Sequence, residues 1–388
     1  MKLRLLVTLS FTASVAAFLA GASPSPAHAD AAPPLTPPAS SIDAGGPTMV
    51  QMWSEVVLLD ARGLAFEDGV VSVSARFRMR NTGSAPEQLR VRFPLEHPQG
   101  YGDGYGGYPI VENLSAYVDS QPVLTGEVSE PTYWNQLDAR IRWATFDVLF
   151  PVGRDVIISV EYAVHAATDE FGTRLDYVME TGAGWAGSIE RAEIILRLPY
   201  PATRAAYLGS WHSDAWSNPV YSSDTIRWVR WHVEPTEEDN FEALLVPPHL
   251  WYQILTLQRR IANGVGSGRD YMAQAEAYWL ASRSYHGWIS HPHLLEAAEA
   301  VVNRGLHRFP GNLDLIAEGA FFRLEGLYSS SPLAGEDLSP SEQREIDLAR
   351  CQIAQALHAG STVDIVQRAA AIHGIGRPGA ECASTSDN

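Results

Sequence analysis

Lysine is almost missing from this chain of 388 residues: Lys2 is the one copy, and every other basic residue is arginine. A Walker A phosphate loop needs a lysine to reach the phosphates, so that chemistry is unsupported. Cysteine is scarce too, with Cys351 and Cys382 alone. No H-E-x-x-H string is present to hold zinc on a helix, and no G-x-G-x-x-G follows a strand-like run. The closest approach to a G-x-S-x-G nucleophile elbow, Gly264 to Gly268, carries Val265 two residues before Ser267, where glycine is required. Zincin, dinucleotide and phosphoryl-transfer chemistry therefore find no support. The paired carboxylates of glycoside hydrolysis leave no spacing in sequence and stay open.

Positive charge is short as well. The formal net charge is −17, from 28 basic and 45 acidic residues. Lys2 and Arg4 precede an apolar run from Leu5 to Ala22 and an Ala27-His28-Ala29 site, which reads as a secretory signal peptide over residues 1–29. Its removal leaves 26 arginines against 45 acids, a net charge of −19. Residues 30–250 carry net −15 and residues 251–388 net −4. Such a surface repels phosphate backbones and anionic headgroups, which argues against nucleic-acid and membrane-surface partners. No later stretch reaches the ~20 apolar residues needed to span a bilayer, so no transmembrane segment is expected after signal removal. The expected location is secreted, periplasmic or cell-surface. In that oxidising setting Cys351 and Cys382 either close one disulfide or remain two free thiols.

What is abundant is alternation. Residues 30–48 are a Pro/Ala-rich linker without periodic apolar positions. From Met49 to about residue 248 the chain then shows roughly ten short runs of period 2. In the strongest, Val70–Leu95, Val71, Val73, Ala75, Phe77 and Met79 alternate with Ser and Arg; beyond a polar turn, Leu89, Val91, Phe93 and Leu95 do the same. This spacing predicts an antiparallel hairpin, and Trp143–Tyr162 predicts a second one. Trp53, Trp143 and Trp228 are expected in the core, and Trp53 falls in a first strand at Met49–Leu59. The fold class expected is a mainly antiparallel β-sandwich region, one large or two small sandwiches, followed by an all-α helical-hairpin domain.

Several strand-end motifs carry a resemblance: N-T-G then F-P-L within Asn81–Leu95, F-x-V-x-F-P-x-G-R at Phe146–Arg154, T-G-A-G-W-A-G at Thr181–Gly187, and E-P-T-E-E-D-N at Glu234–Asn240. Together they resemble uncharacterised secreted bacterial β-sandwich proteins and, in the F-P-L strand end, are loosely similar to the vault/inter-α-trypsin type of sandwich. The resemblance implies a secreted sandwich over about residues 50–250 and transfers no functional residue.

After Pro247-Pro248 the period becomes helical over residues 249–374, ahead of a tail at 375–388. Six helices are expected. Asp270 starts the second, Asn312 caps the fourth, and Ser339-Pro340 with Glu342 opens the fifth as a capping box. The pair joined by Phe309-Pro310-Gly311-Asn312 resembles a tetratricopeptide unit but lacks its W-x2-L-G-x2-Y core, so a helical array is expected more than true repeats. Such arrays present a groove to a partner.

Four sets of residues are candidates for function. Arg76, Arg78, Arg80, Arg90 and Arg92 line the outer face of the Val70–Leu95 hairpin, either paired with acids such as Asp147 or Glu161 or forming a site for an anionic or acidic partner. Asp103 in the Gly/Tyr loop, with Glu237, Glu238 and Asp239, supplies oxygens for calcium, although neither loop has dedicated calcium spacing; no other cofactor is expected. His286, His291 and His293 read as a helix entry more than a metal site. Tyr101, Tyr105 and Tyr108 offer an aromatic platform. The reading that results is a non-enzymatic binding or scaffold protein with a protein or glycan ligand at the cell envelope. An extracellular glycan or peptide hydrolase with a carboxylate site, and a self-associating structural envelope protein, are the alternatives.

Overall fold

The computed structural model describes residues 47–64, 69–96, 110–131, 140–168, 172–209, 215–236, 239–283, 291–330, 339–376 and 382. The signal-peptide reading, almost all of the linker, the Gly/Tyr loop at His97–Tyr108 and most of the tail lie outside them. Along the chain run β1 (Val50–Asp60), β2 (Val70–Asn81), β3 (Glu87–Glu96), β4 (Glu112–Val118), β5 (Gln121–Val123), β6 (Gly126–Pro131), β7 (Arg140–Phe150), β8 (Asp155–His165), β9 (Ala167–Thr168), β10 (Thr173–Tyr177), β11 (Ile189–Arg197), β12 (Tyr207–Gly209), β13 (Val220–Ser222), β14 (Thr225–Val233) and β15 (Phe241–Leu245). They build one mixed eight-stranded sheet, in the order β13-β14-β11-β1-β2-β8-β4-β5, with β1 and β11 parallel. Two smaller antiparallel sheets, β12-β15-β10-β9 and β3-β7-β6, complete the β region.

The alternation marks the strands but not their pairing. β2 bonds to β1 and β8, whereas β3 bonds to β7 in a different sheet. Val70–Leu95 is therefore an arch between two sheets and not a hairpin. The same correction applies to β7 and β8, which pair with β3 and β6 on one side and with β2 and β4 on the other. Asn81, fully buried, explains the geometry. Its side-chain amide donates to the carbonyls of Ala85 (2.8 Å) and Phe150 (3.0 Å), and its Oδ1 accepts from Gly83 N–H (2.8 Å). Its own carbonyl accepts from Gly153 N–H (3.0 Å). One residue thus ties the two arches together and supplies a bond to the buried carbonyl of Phe150. Two glycines follow from this. A Cβ on Gly83 would lie 3.0 Å from Met49 Cβ, and Gly153 adopts φ +65° at the β7–β8 arch.

A second local feature sets the core. The β1–β2 register shifts between Met52 and Ser54, so Trp53 is the extra residue of a bulge. Before it Val50 and Met52 point inward; after it Glu55, Val57 and Leu59 do. Trp53, out of phase with Val50 and Met52, stands on the outer face, which corrects its expected core position, and the bulge drives Glu55 into the interior at 0% exposure. There Tyr177 OH donates to Glu55 Oε1 at 2.6 Å. Burial, and then the Glu55 charge, push the hydroxyl pKa values of Tyr177 and Tyr162 well above the ordinary value. Around this pair the three sheets share one apolar core. Phe93 of β3 meets Tyr162 of β8 at 5.2 Å between ring centroids, and Trp228 of β14 meets Phe241 of β15 at 4.9 Å.

The helices follow as α1 (Pro248–Ala262), α2 (Gly268–Ala281), α3 (Pro292–Arg308), α4 (Leu313–Ser330), α5 (Pro340–His358) and α6 (Asp364–His373). Ser267 and Asp270 form a capping box at α2, Asn312 Oδ1 accepts from Leu315 N–H at α4, and Ser339 with Glu342 closes the box at α5. Each helix packs on the next, and α2, α4 and α6 also meet, around a core that includes Trp279, Phe321 and Phe322. The first helix belongs to both halves. Trp251 and Tyr252 pack on Tyr200 of the β region at 6.0 and 5.8 Å, and Trp251 reaches Tyr278 of α2 at 6.4 Å. Cys351 of α5 is bonded to Cys382, 31 residues on.

Replacing Asn81 with Ala removes the side-chain donor to the buried Phe150 carbonyl and unties the two arches, and is expected to cost about 2–3 kcal/mol, read from urea midpoints. Reducing the Cys351–Cys382 bond is expected to lower stability by up to about 3–4 kcal/mol, the chain-entropy value for a loop of this length, in urea titrations with and without reductant.

Candidate functional site

The eight-stranded sheet turns one face to the core and leaves the other open, and on that open face side chains line up across the strands. Register places Trp231 of β14, Arg191 of β11, Ser54 of β1, Arg78 of β2 and Ile157 of β8 in one row. The next row is Val229, Glu193, Val56, Arg76, Ser159 and Tyr117. These positions point outward because Val57, Phe77, Ile158, Ile194 and Trp228 occupy the inward phase of the same strands.

Guanidiniums outnumber the carboxylates they meet here. Arg78 and Arg80 share Asp155, at 2.5 and 2.6 Å, and both lie over the Trp53 ring, 5.8 and 4.7 Å from its centroid. Burial opposes ionisation of Asp155, yet hydrogen bonds from Arg80 and Arg78 hold its pKa below the ordinary value. Arg191 and Arg227 likewise share the buried Glu193, and Arg191 stands 5.7 Å from the Trp231 ring. That indole is 63% exposed. Arg76, exposed at the centre of the face, makes no hydrogen bond or ion pair among the described residues. Counted over β1, β2, β8, β11 and β14, six outward arginines (76, 78, 80, 191, 197, 227) face five carboxylates (Asp60, Asp155, Glu161, Glu190, Glu193). On a chain of net charge −17 this face is close to balanced in charge, richer in arginine than the chain as a whole.

The structure divides the arginines that the sequence grouped. Arg76, Arg78 and Arg80 share the large sheet, but Arg90 and Arg92 stand on β3 in the three-stranded sheet. Arg90 pairs with Asp147 at 3.1 Å, and Arg92 lies 4.7 Å from the Trp143 ring. Trp143 is buried under that guanidinium on the outer side of its sheet, not in the core; of the three tryptophans assigned there, Trp228 alone joins it. Arg191, Arg227 and Trp231 were missed because β11 and β14 reach this face only through a parallel pairing with β1 that no local pattern announces.

Asp103, Glu237, Glu238, His286, Tyr101, Tyr105 and Tyr108 lie outside the described residues. Asp239 is buried and occupied: it pairs with Arg230 and accepts from Thr236 N–H (2.8 Å) and hydroxyl (3.0 Å). Among the described residues, no group of three or more His, Cys, Asp or Glu is placed to hold a metal ion. His291 sits at the N-cap of α3 with His293 two residues on, their ring centroids 6.2 Å apart. Burial, helped by the His293 charge, lowers the His291 pKa to about 4.

No known protein family matches the chain, and no curated protein does. Among solved structures, a candidate nutrient-binding protein from Legionella pneumophila is 15% identical, with 80% of this chain and 98% of that one covered, at a TM-score of 0.41. An M1 zinc metallopeptidase from Deinococcus radiodurans is 10% identical, with 82% and 76% covered, at 0.28. At these scores neither likeness carries an argument.

The His291 shift has a definite sign. A histidine whose folded pKa is lowered from 6.5 to about 4 contributes stability that is complete above pH 6.5 and drains away as pH falls toward 4. Urea midpoints are expected to drop across that window, and His291→Gln to flatten the drop; an unchanged slope would contradict the burial of a neutral imidazole.

Proposed function

We propose that this chain is a non-enzymatic binding protein acting outside the cytoplasm, with the β region stacked as a sandwich and the open face of its eight-stranded sheet as the binding surface. One observation carries the reading: among the described residues Arg76 makes no ion pair, and it stands at the centre of an arginine-rich face on a strongly acidic chain. An exposed cation surrounded by guanidiniums gains little from folding, whereas an incoming carboxylate can take charge-assisted bonds from it. The sandwich reading is supported by the core that all three sheets share, and the location by the signal-like N-terminal sequence. Trp53 and Trp231 extend the surface with aromatic area beside the cations.

The test is retention of anionic material from solubilised cell envelope by the immobilised chain. The unmodified chain should hold salt-elutable material, and Arg76→Glu should hold about tenfold less, the loss expected when one charge-assisted bond becomes a repulsion. Equal retention by the variant, or turnover of a glycan or peptide panel by the unmodified chain, overturns the proposal.

A further inference from the structure

The large sheet is broad and its central strands are closed to backbone pairing. β11, β1, β2 and β8 each have hydrogen-bonded neighbours on both sides, so no ligand can add itself as a strand there. Whatever binds must lie across side chains. What the face offers across the strands is a sequence of groups: an exposed indole at Trp231, then Arg191, Ser54 and Arg78, with Arg76 one row below. From β14 to β2 is three strand steps, about 14 Å at the usual spacing. A binder that fills this run is extended, flat and repetitive.

The charge pattern narrows its chemistry. The cations are interleaved with Asp155, Glu193 and Glu161, so the local field is modest. Duplex DNA carries one charge per about 1.7 Å and would press its phosphates against those carboxylates. A polymer with one carboxylate on each ring spaces its charges more widely and can place them on the arginines alone. Rings with apolar faces can also stack on the open indole, as a bare anion cannot. The overall negative charge of the chain does not forbid this, because at 0.1 M salt interactions are screened beyond about 10 Å.

Resting on the binding role proposed above, we propose that the ligand is an extended polyuronate, a polysaccharide with a carboxylate on each sugar, laid across β14, β11, β1 and β2. A sugar ring stacks on Trp231; Arg76, which makes no ion pair among the described residues, takes a carboxylate; and Arg191 and Arg78 hold flanking groups while keeping Glu193 and Asp155 as counter-ions. Recognition is by charge spacing and ring stacking together.

Isothermal titration of the full chain with polygalacturonate oligosaccharides, neutral dextran and polyglutamate tests it. Polygalacturonate should bind and dextran should not, with polyglutamate at least about tenfold weaker because it lacks rings to stack. Trp231→Ala and Arg76→Ala should each weaken polygalacturonate about tenfold, with Arg76→Lys restoring part of the loss and Arg90→Ala, on the other sheet, leaving it unchanged. Circular dichroism confirms that the variants fold. Equal affinity for polyglutamate, or insensitivity to Trp231→Ala, overturns the polyuronate. If polygalacturonate fails to bind while envelope retention still depends on Arg76, the ligand class is wrong and the binding role stands; if neither depends on Arg76, both fall.

Discussion

A single buried amide holds the β region in its topology. Asn81 terminates the strand that enters the first arch and bonds the carbonyl that ends β7 at the second, so two chain reversals 69 residues apart share one set of hydrogen bonds. Its two amide hydrogens and its oxygen are all consumed within the turn, which is how three sheets can meet without leaving backbone groups dry and unbonded. Asn81 closes the far end of β2, the strand whose alternation with buried Ala75, Phe77 and Met79 carries Arg76, Arg78 and Arg80 outward.

The second constraint is a one-residue insertion. The bulge at Trp53 shifts the phase of β1 beyond it, so that an indole beneath the arginines on one side is followed two residues on by a carboxylate among tyrosines on the other. A strand without the bulge would continue the Val50, Met52 phase and put Ser54 and Val56 inward, leaving Glu55 to solvent. The interior acid is thus the result of this irregularity; Glu55 is retained by the Tyr177 hydroxyl, and Trp53 on the opposite face is covered by the Arg80 guanidinium.

Much of the secondary structure was legible because its causes are local. Alternation along Val71–Met79 and Val156–Tyr162 reports a buried face whichever strand lies beside it, and the Ser339/Glu342 and Asn312 caps are bonds between residues three apart. Pairing is not local. Nothing in Val70–Leu95 distinguishes an arch from a hairpin except the demand of Asn81 for partners at Ala85 and Phe150, and the second of these is invisible until the fold exists. The arginines were recognised as unusual on one strand pair, yet the face they belong to is completed by residues from β11 and β14, more than a hundred positions away. As aromatics in alternating strands, Trp53 and Trp143 read as core residues, yet both lie under guanidiniums, where an arginine covers the aromatic surface.

The parallel contact between β1 and β11 has a consequence in time. Ser54 to Asp60 pair with Arg191 to Arg197, and the Gln51 side chain bonds to Ser188, 137 residues along the chain. The middle of the large sheet therefore cannot close until nearly the whole β region is available, and the loop-closure entropy is met before the contacts that reward it. Until then β1 presents an unpaired edge, the kind of surface that joins the wrong neighbour. Acidic repulsion between copies is the safeguard left to such a chain during its slow assembly: the same negative charge that dominates the finished surface keeps unfinished molecules apart.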